Sequence, residues 1–262
     1  MYRTISAIQE KGGIGKTTLT TIIASGLAIR GLRVLAIDTD AQAHLTVGMG
    51  LKPEPGIYEL IIRERGFDEL VRVVDPSRYA PAGSTPSGTL AVLPGNIETM
   101  NVNVPGGNAY SLQQRLEEID GIFDVVVYDT PPTPSFLHAP VMVSSDFILL
   151  PAEMEFYCLK ALSSTMKHIP DFSSMRVAKG LSPIRILGII PTMMRSVVEH
   201  EENLKTLREE HGDLVWPPMP LRITWAEASM QRKTVFAYDP DGKAAQDAWT
   251  VVDNVMGALE HV

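Results

Sequence analysis

The sequence holds one cysteine, Cys158, among 262 residues. A single thiol cannot form an internal disulfide, a cysteine-rich zinc site or a cysteine-ligated cluster within one chain, and such usage suits a reducing compartment. Long apolar runs are also missing. None reaches ~18 residues without a charge or a proline cluster, so no membrane span is expected. The first residues lack the basic-then-apolar layout of a secretory leader, and the expected address is the cytoplasm. Positive charge is in deficit: 23 Lys and Arg against 31 Asp and Glu leave a net charge of −8. That balance excludes a basic protein that coats DNA with its whole surface, while a local basic patch stays open. Repeats, low-complexity segments and a composition break that would mark a linker are lacking too. What remains is ordinary globular composition, 45% hydrophobic and 21% charged, in a chain long enough to bury most of its apolar surface in one core.

Within that composition, β-branched apolar runs alternate with helical patterns. Strands are expected at Thr4 to Gln9, Arg33 to Asp38, Asp124 to Asp129, Phe147 to Pro151 and Ile184 to Ile190. Helices are expected from Lys16 to Arg30 and over 111–119, 155–168, 199–211 and 243–260. Runs such as RVLAID are apolar throughout, as strands covered on both faces are. The alternation predicts an α/β fold, a mostly parallel twisted sheet with helices on both faces and right-handed crossovers, in a single domain over 1–262. The stretch from about Lys52 to Gly107 is the least regular. It carries Pro53, Pro55, Pro76, Pro81, Pro86, Pro94 and Pro105 and is expected to pack as short helices and loops.

Between the first strand and the first helix the chain reads QEKGGIGKTT, from Gln9 to Thr18. This context makes a phosphate loop credible. Gly12, Gly13 and Gly15, with Ile14 between them, let backbone N–H groups turn inward onto phosphate oxygens. The helix beginning near Lys16 adds its positive end. Lys16 is expected to reach the β- and γ-phosphates, Thr17 to ligate Mg²⁺ and Thr18 to touch the α-phosphate. The pattern G-x-x-x-x-G-K-S/T is not fully met, because its first glycine falls on Glu10, and a second lysine, Lys11, stands beside the loop. The plainer alternative for Lys11 is a surface lysine next to a glycine turn.

Carboxylates follow at two strand ends. Asp38 and Asp40, two apart, face the same way on an extended segment. They sit where open α/β sheets bind ligands, one able to support a Mg²⁺ shell and the other to position water. The run VVVYD closes on Asp129, the layout of a Mg²⁺-holding aspartate, and Thr130, Pro131 and Pro132 follow it. A solvated turn or a helix cap is the alternative for the first pair.

These segments together resemble the ParA/MinD family of P-loop NTPases. KGGIGKTT is similar to its deviant Walker A motif, Asp38–Asp40–Gln42 to its D-x-D-x-Q switch I segment with His44 in place of the usual Asn, and DTPP to its switch II segment. The resemblance implies ATP and Mg²⁺ as cofactors, Asp40 as the residue that positions the attacking water, and Lys11 as a positive charge that reaches a partner's phosphates in an ATP-dependent homodimer. It also implies base contacts from Thr192 and Met193 in GIIPTMMR. PLRITWAEAS with the later YDP resembles the P-R-N-x-R-x-A-E-A segment through Pro220, Ala226, Glu227 and Ala228, but the second arginine of that pattern falls on Thr224 and Arg222 is displaced. A nitrogenase-reductase-like role would need cluster cysteines that this chain lacks.

Family members divide by what they move. Residues 160–185 hold five bases and one acid, so Lys160, Lys167, Arg176 and Lys179 are candidate contacts to nonspecific double-stranded DNA, with Arg222, Arg232 and Lys233 as a second patch. A solvated helix and loop is the competing reading of the same charges. From Asp247 onward the C-terminal stretch DAWTVVDNVMGALEHV has no Lys or Arg, a poor match to an anionic bilayer, and Trp249, Val252, Val255, Met256 and Leu259 are expected in the core. The activity implied is a nucleoid-associated partition ATPase whose hydrolysis is stimulated by a ParB-like or cargo-adaptor protein. A positioning ATPase for a protein assembly is the nearest alternative. A P-loop metabolic ligase or synthetase, and a non-hydrolysing scaffold, are further from the residues present.

Overall fold

The computed structural model describes residues 2–102, 107–132 and 135–260. Its strands are β1 (Arg3–Ala7), β2 (Arg33–Asp38), β3 (Arg72–Val73), β4 (Thr89–Leu93), β5 (Val125–Asp129), β6 (Phe147–Glu153) and β7 (Arg185–Thr192). They form one seven-stranded sheet in the order β3-β4-β2-β5-β1-β6-β7. Every pairing is parallel except that of the short edge strand β3 with β4. The helices are α1 (Lys16–Ile29), α2 (His44–Gly48), α3 (Gly56–Ile62), α4 (Phe67–Leu70), α5 (Pro76–Tyr79), α6 (Ser111–Leu116) and α7 (His138–Ser144). After them come α8 (Phe156–Val177), α9 (Val198–His211), α10 (Ile223–Met230), α11 (Val235–Tyr238) and α12 (Lys243–Glu260).

The strands are apolar on both sides because both sides are covered. Along β5, Val125 and Val127 point into a layer built with α1 and α12, while Val126 and Tyr128 point into the opposite layer with α3, α6, α7, α8 and α9. In α12, Val252 and Val255 are fully buried, and Trp249, Met256 and Leu259 pack partly buried against the same layer. The α1–α12 crossing is close enough that a Cβ placed on Gly26 would lie 2.3 Å from a methyl of Val252, so this glycine is required by contact between helices. No helix among the described residues is long and apolar enough to cross a membrane.

Two expectations are corrected. The proline-rich stretch holds β4, a fully paired strand of the sheet. The expectation of irregular structure is therefore wrong there, and at 103–106 it falls outside the described residues. The helix expected over 155–168 continues through Pro170 to Val177. A proline inside a helix removes one donor and crowds the preceding turn. Pro170 is exposed, so its ring lies on the solvent side of the helix, and the Ser174 hydroxyl donates to the Pro170 carbonyl at 2.9 Å.

Candidate nucleotide site

The carboxyl ends of β1, β2 and β5 lie side by side in the sheet, with Ala7 paired to Asp129 and Asp38 to Asp129. The loop leaving β1 turns through left-handed conformations at Gly13 (φ 77°) and Gly15 (φ 89°), which only glycine adopts without strain. α1 then starts at Lys16. The loop is tied down on two sides. The Thr192 hydroxyl at the end of β7 donates to the Ile14 carbonyl at 2.8 Å, and the Thr130 hydroxyl donates to the Ala7 carbonyl at 2.6 Å. Gly12 lies so close to Pro132 that an added Cβ would stand 3.3 Å from its ring. The loop therefore rests directly on the DTPP segment.

Most of the polar groups at this end pair with one another. Lys16 is 6% exposed and its ammonium donates to the Lys11 carbonyl at 2.8 Å. Burial lowers its pKa, against the opposing pull of Asp129 and Asp40. The Thr17 hydroxyl donates to Asp129 Oδ2 at 2.9 Å. Asp129 is fully buried. Its carboxyl is pushed well above the usual carboxylate range, first by burial and then by the nearby Asp38 charge. The other oxygen, Oδ1, is buried with no hydrogen-bond partner. A carboxylate that lacks a partner, beside a threonine hydroxyl and at the mouth of a phosphate loop, is a donor set that fits a small hard cation such as Mg²⁺.

Asp38 is placed differently from the expectation that it joins the metal shell. Its Oδ2 accepts from the Thr46 N–H at 2.9 Å and the Thr46 hydroxyl at 2.6 Å, and its Oδ1 accepts from the Asp40 N–H at 3.2 Å. Burial pushes its pKa up to about 6, with the Thr46 bonds pulling the other way. Its oxygens are thus used to hold the start of α2 and the Asp40 turn. Asp40 accepts from the Gln42 N–H at 3.0 Å and lines a cavity of about 340 Å³ together with Gly13, Lys16, Thr17, His44 and Thr130. A second cavity of about 320 Å³ is lined by Thr192, Met193, Met219, Pro220 and Trp225. Gly15, Thr18 and Met193 line both, so the two form a continuous surface, with Lys16, Thr17 and Asp40 at the loop and Met219, Pro220 and Trp225 beyond it. Trp225, whose indole N–H donates to the Pro220 carbonyl at 3.2 Å, is a wall residue that the sequence comparison passed over. Its only signal was a bulky aromatic inside the P-R-N-x-R-x-A-E-A-like segment.

A family model described as an AAA domain, AAA_31, matches residues 2–180. The chromosome partitioning protein ParA of Caulobacter vibrioides is 30% identical over 249 residues, covering 90% of this chain and 87% of that protein. The chain belongs to the ParA/MinD-type ATPase family. The chromosome-partitioning ATPase Soj of Thermus thermophilus is 29% identical over 262 residues, covering 98% of this chain and 97% of that protein. Among solved structures, apo McdA of Cyanothece superposes with a TM-score of 0.78 at 20% identity, covering 97% of this chain and all of that one. That likeness shows the ParA/MinD fold.

Lys11 and the DNA candidates complete the placement. The Lys11 ammonium donates to Cys158 Sγ at 2.7 Å and lies 3.3 Å from carboxylate oxygens of both Glu153 and Glu155. These partners hold its pKa above the ordinary lysine value, the Cys158 bond most of all. Arg176 is not a surface base. It is 2% exposed, donates to the Val143 and Ser182 carbonyls and pairs with Asp146, so its assignment to DNA is withdrawn. Arg222 pairs with Asp247 at 2.6 Å. The Lys179 ammonium sits over the Tyr110 ring at 5.2 Å. Lys160 and Lys167 are exposed on α8, two turns apart on one face, and Arg232 is exposed with Lys233 half-buried beside it.

Proposed function

We propose that this chain hydrolyses ATP to ADP and phosphate with Mg²⁺ and uses the cycle to gate a homodimer that moves cargo over nonspecific double-stranded DNA. The continuous surface supports this reading: a cavity of about 340 Å³ around Lys16, Thr17 and Asp40 joins an apolar slot walled by Met193, Pro220 and Trp225. The backbone N–H groups from Gly13 to Thr18 and the Lys16 ammonium take the β- and γ-phosphates. Lys16 then exchanges its bond to the Lys11 carbonyl for phosphate oxygens. Thr17 and Asp129 would hold Mg²⁺, which would supply positive charge to offset that of the phosphates. Asp40 orients the attacking water and accepts its proton. Lys11 serves the phosphates of a second copy, which makes hydrolysis slow in the monomer and dependent on assembly.

DNA contact is assigned to Lys160 and Lys167 and to Arg232 with Lys233. A ParB-like or cargo-adaptor protein sets the hydrolysis rate, and the nucleoid is the expected location. The test is binding of the Asp40→Ala protein to nonspecific double-stranded DNA with ATP or ADP at two salt concentrations. ATP-dependent, salt-sensitive binding is expected. A dimer that forms with ATP yet ignores DNA would turn the reading to a positioning ATPase for a protein assembly. That alternative is favoured by one observation: Arg176 and Arg222 are spent on internal pairs.

A further inference from the structure

This inference rests on the reading of Lys11 as a residue that serves a second copy's phosphates. That lysine does not extend into solvent. It is folded back onto a site made by the end of β6 and the first turns of α8, more than a hundred residues away in sequence. The reactive atoms of Glu153, Glu155 and Cys158 converge within 4.8 Å of one another, and the ammonium lies on all three. We propose that Glu153, Glu155 and Cys158 are positioning residues that park Lys11 on its own chain and release it when a nucleotide-loaded partner arrives, so that they set the ATP and protein concentration at which the dimer forms.

The site is built to survive the departure of its lysine. Glu153, only 10% exposed, also faces the Arg195 guanidinium at 3.7 Å, so it is not left as an unpaired buried charge. The Cys158 thiol, buried at 1%, has Glu153 as an acceptor at 3.8 Å. Glu155 is 40% exposed and turns to water. A static ion pair would strand at least one buried partner on opening, and this arrangement strands none. Lys11 itself remains 36% exposed at the rim. Parked and released forms therefore differ by a small free energy, which a partner's phosphates can supply.

Two measurements test it. Cys158 is the chain's only thiol, so the pH–rate profile of its alkylation by an uncharged maleimide reads the Lys11 contact. In full-length protein without added nucleotide, Lys11→Ala is expected to move that profile to higher pH, because the thiolate loses the lysine's bond and charge and keeps Glu153 and Glu155 beside it, at unchanged thermal stability. Superimposed profiles would overturn the parked contact, and this arm does not depend on ATP. In the second, ATPase rate is followed against protein concentration for wild type, Glu155→Gln and Cys158→Ala. Glu155 caps α8 without any side-chain bond to it, so the glutamine keeps the helix start. Both variants are expected to reach half-maximal rate at about tenfold lower protein concentration, because each dimer frees two lysines and each contact is worth about threefold, with the plateau rate unchanged. A half-maximal concentration that stays put or rises in both would overturn the proposal. Absence of any ATP-dependent dimer in wild type would instead sink the functional reading and leave the labelling result standing.

Discussion

At the phosphate end of the sheet, Lys16, Asp38, Asp40 and Asp129 are all buried, and each is aimed by a backbone turn or a threonine. On α8 and the loop after it, Lys160, Lys167 and Lys179 stand at the surface, while Arg176 has folded inward. Both regions attract notice by their charge. In the first, position in a strand–loop–helix context decides what each charge does. In the second, a count of charges along the chain says little, because folding removed one base to Asp146 and laid another over Tyr110. The strand–loop–helix context brings Lys16, Thr17, Asp40 and Asp129 to one end of the sheet, whereas the run of bases along α8 is divided by folding between the surface and the interior.

The largest effect that separates the two regions is at Arg176. Arg176→Ala leaves Asp146 with Thr4 alone and takes the donor from the Val143 and Ser182 carbonyls, and is expected to cost about 3 kcal/mol of stability, seen as a fall in Tm and urea midpoint. A stable variant with weakened DNA binding would restore Arg176 to the surface. Lys16→Ala is next: turnover is expected to fall by about a hundredfold or more with the fold retained by circular dichroism. Full activity there would break the phosphate assignment. Gly26→Ala acts away from both regions, forcing α1 off Val252 at about 1–3 kcal/mol, and leaves ATP affinity unchanged in the variant at low temperature. A pH titration sharpens the contrast further. Asp38 has a folded pKa of about 6, above its ordinary value of 3.8. Its contribution to stability is therefore full below about 4 and is lost as pH rises through 6. Metal-free urea melts of wild type should show that slope, and Asp38→Asn should flatten it. The smallest effect is on α8: Lys160→Ala with Lys167→Ala should lower the salt slope of DNA binding by about 2 and leave Tm within about 0.5 kcal/mol equivalents of wild type.

The strand–loop–helix at Gln9 to Thr18 was legible because its glycines, lysine and threonines are contiguous, and the strands ending on Asp38 and Asp129 were legible because an apolar run closes on an acid. β4 was hidden by its neighbours. TLAVL is a strand pattern, but prolines on either side made the whole stretch read as irregular. Pro170 likewise truncated α8 on paper, where solvent exposure makes it tolerable in the helix. The partners of Lys11 had no local sign at all. Glu153, Glu155 and Cys158 sit 142 to 147 residues downstream, and only the pairing of β6 beside β1 brings them to the loop. The second role of Asp38, holding Thr46, was missed because two acids spaced by one residue look alike until a hydroxyl is seen to take one of them.

The account stands on assembly controlled by ATP at this site, and sedimentation velocity of the Asp40→Ala protein with Mg²⁺ and either ATP or ADP tests it most directly. The prediction is a dimer with ATP and a monomer with ADP, with the ATP dimer lost in Lys16→Ala. The same sedimentation coefficient with both nucleotides, at saturating ATP, would contradict it.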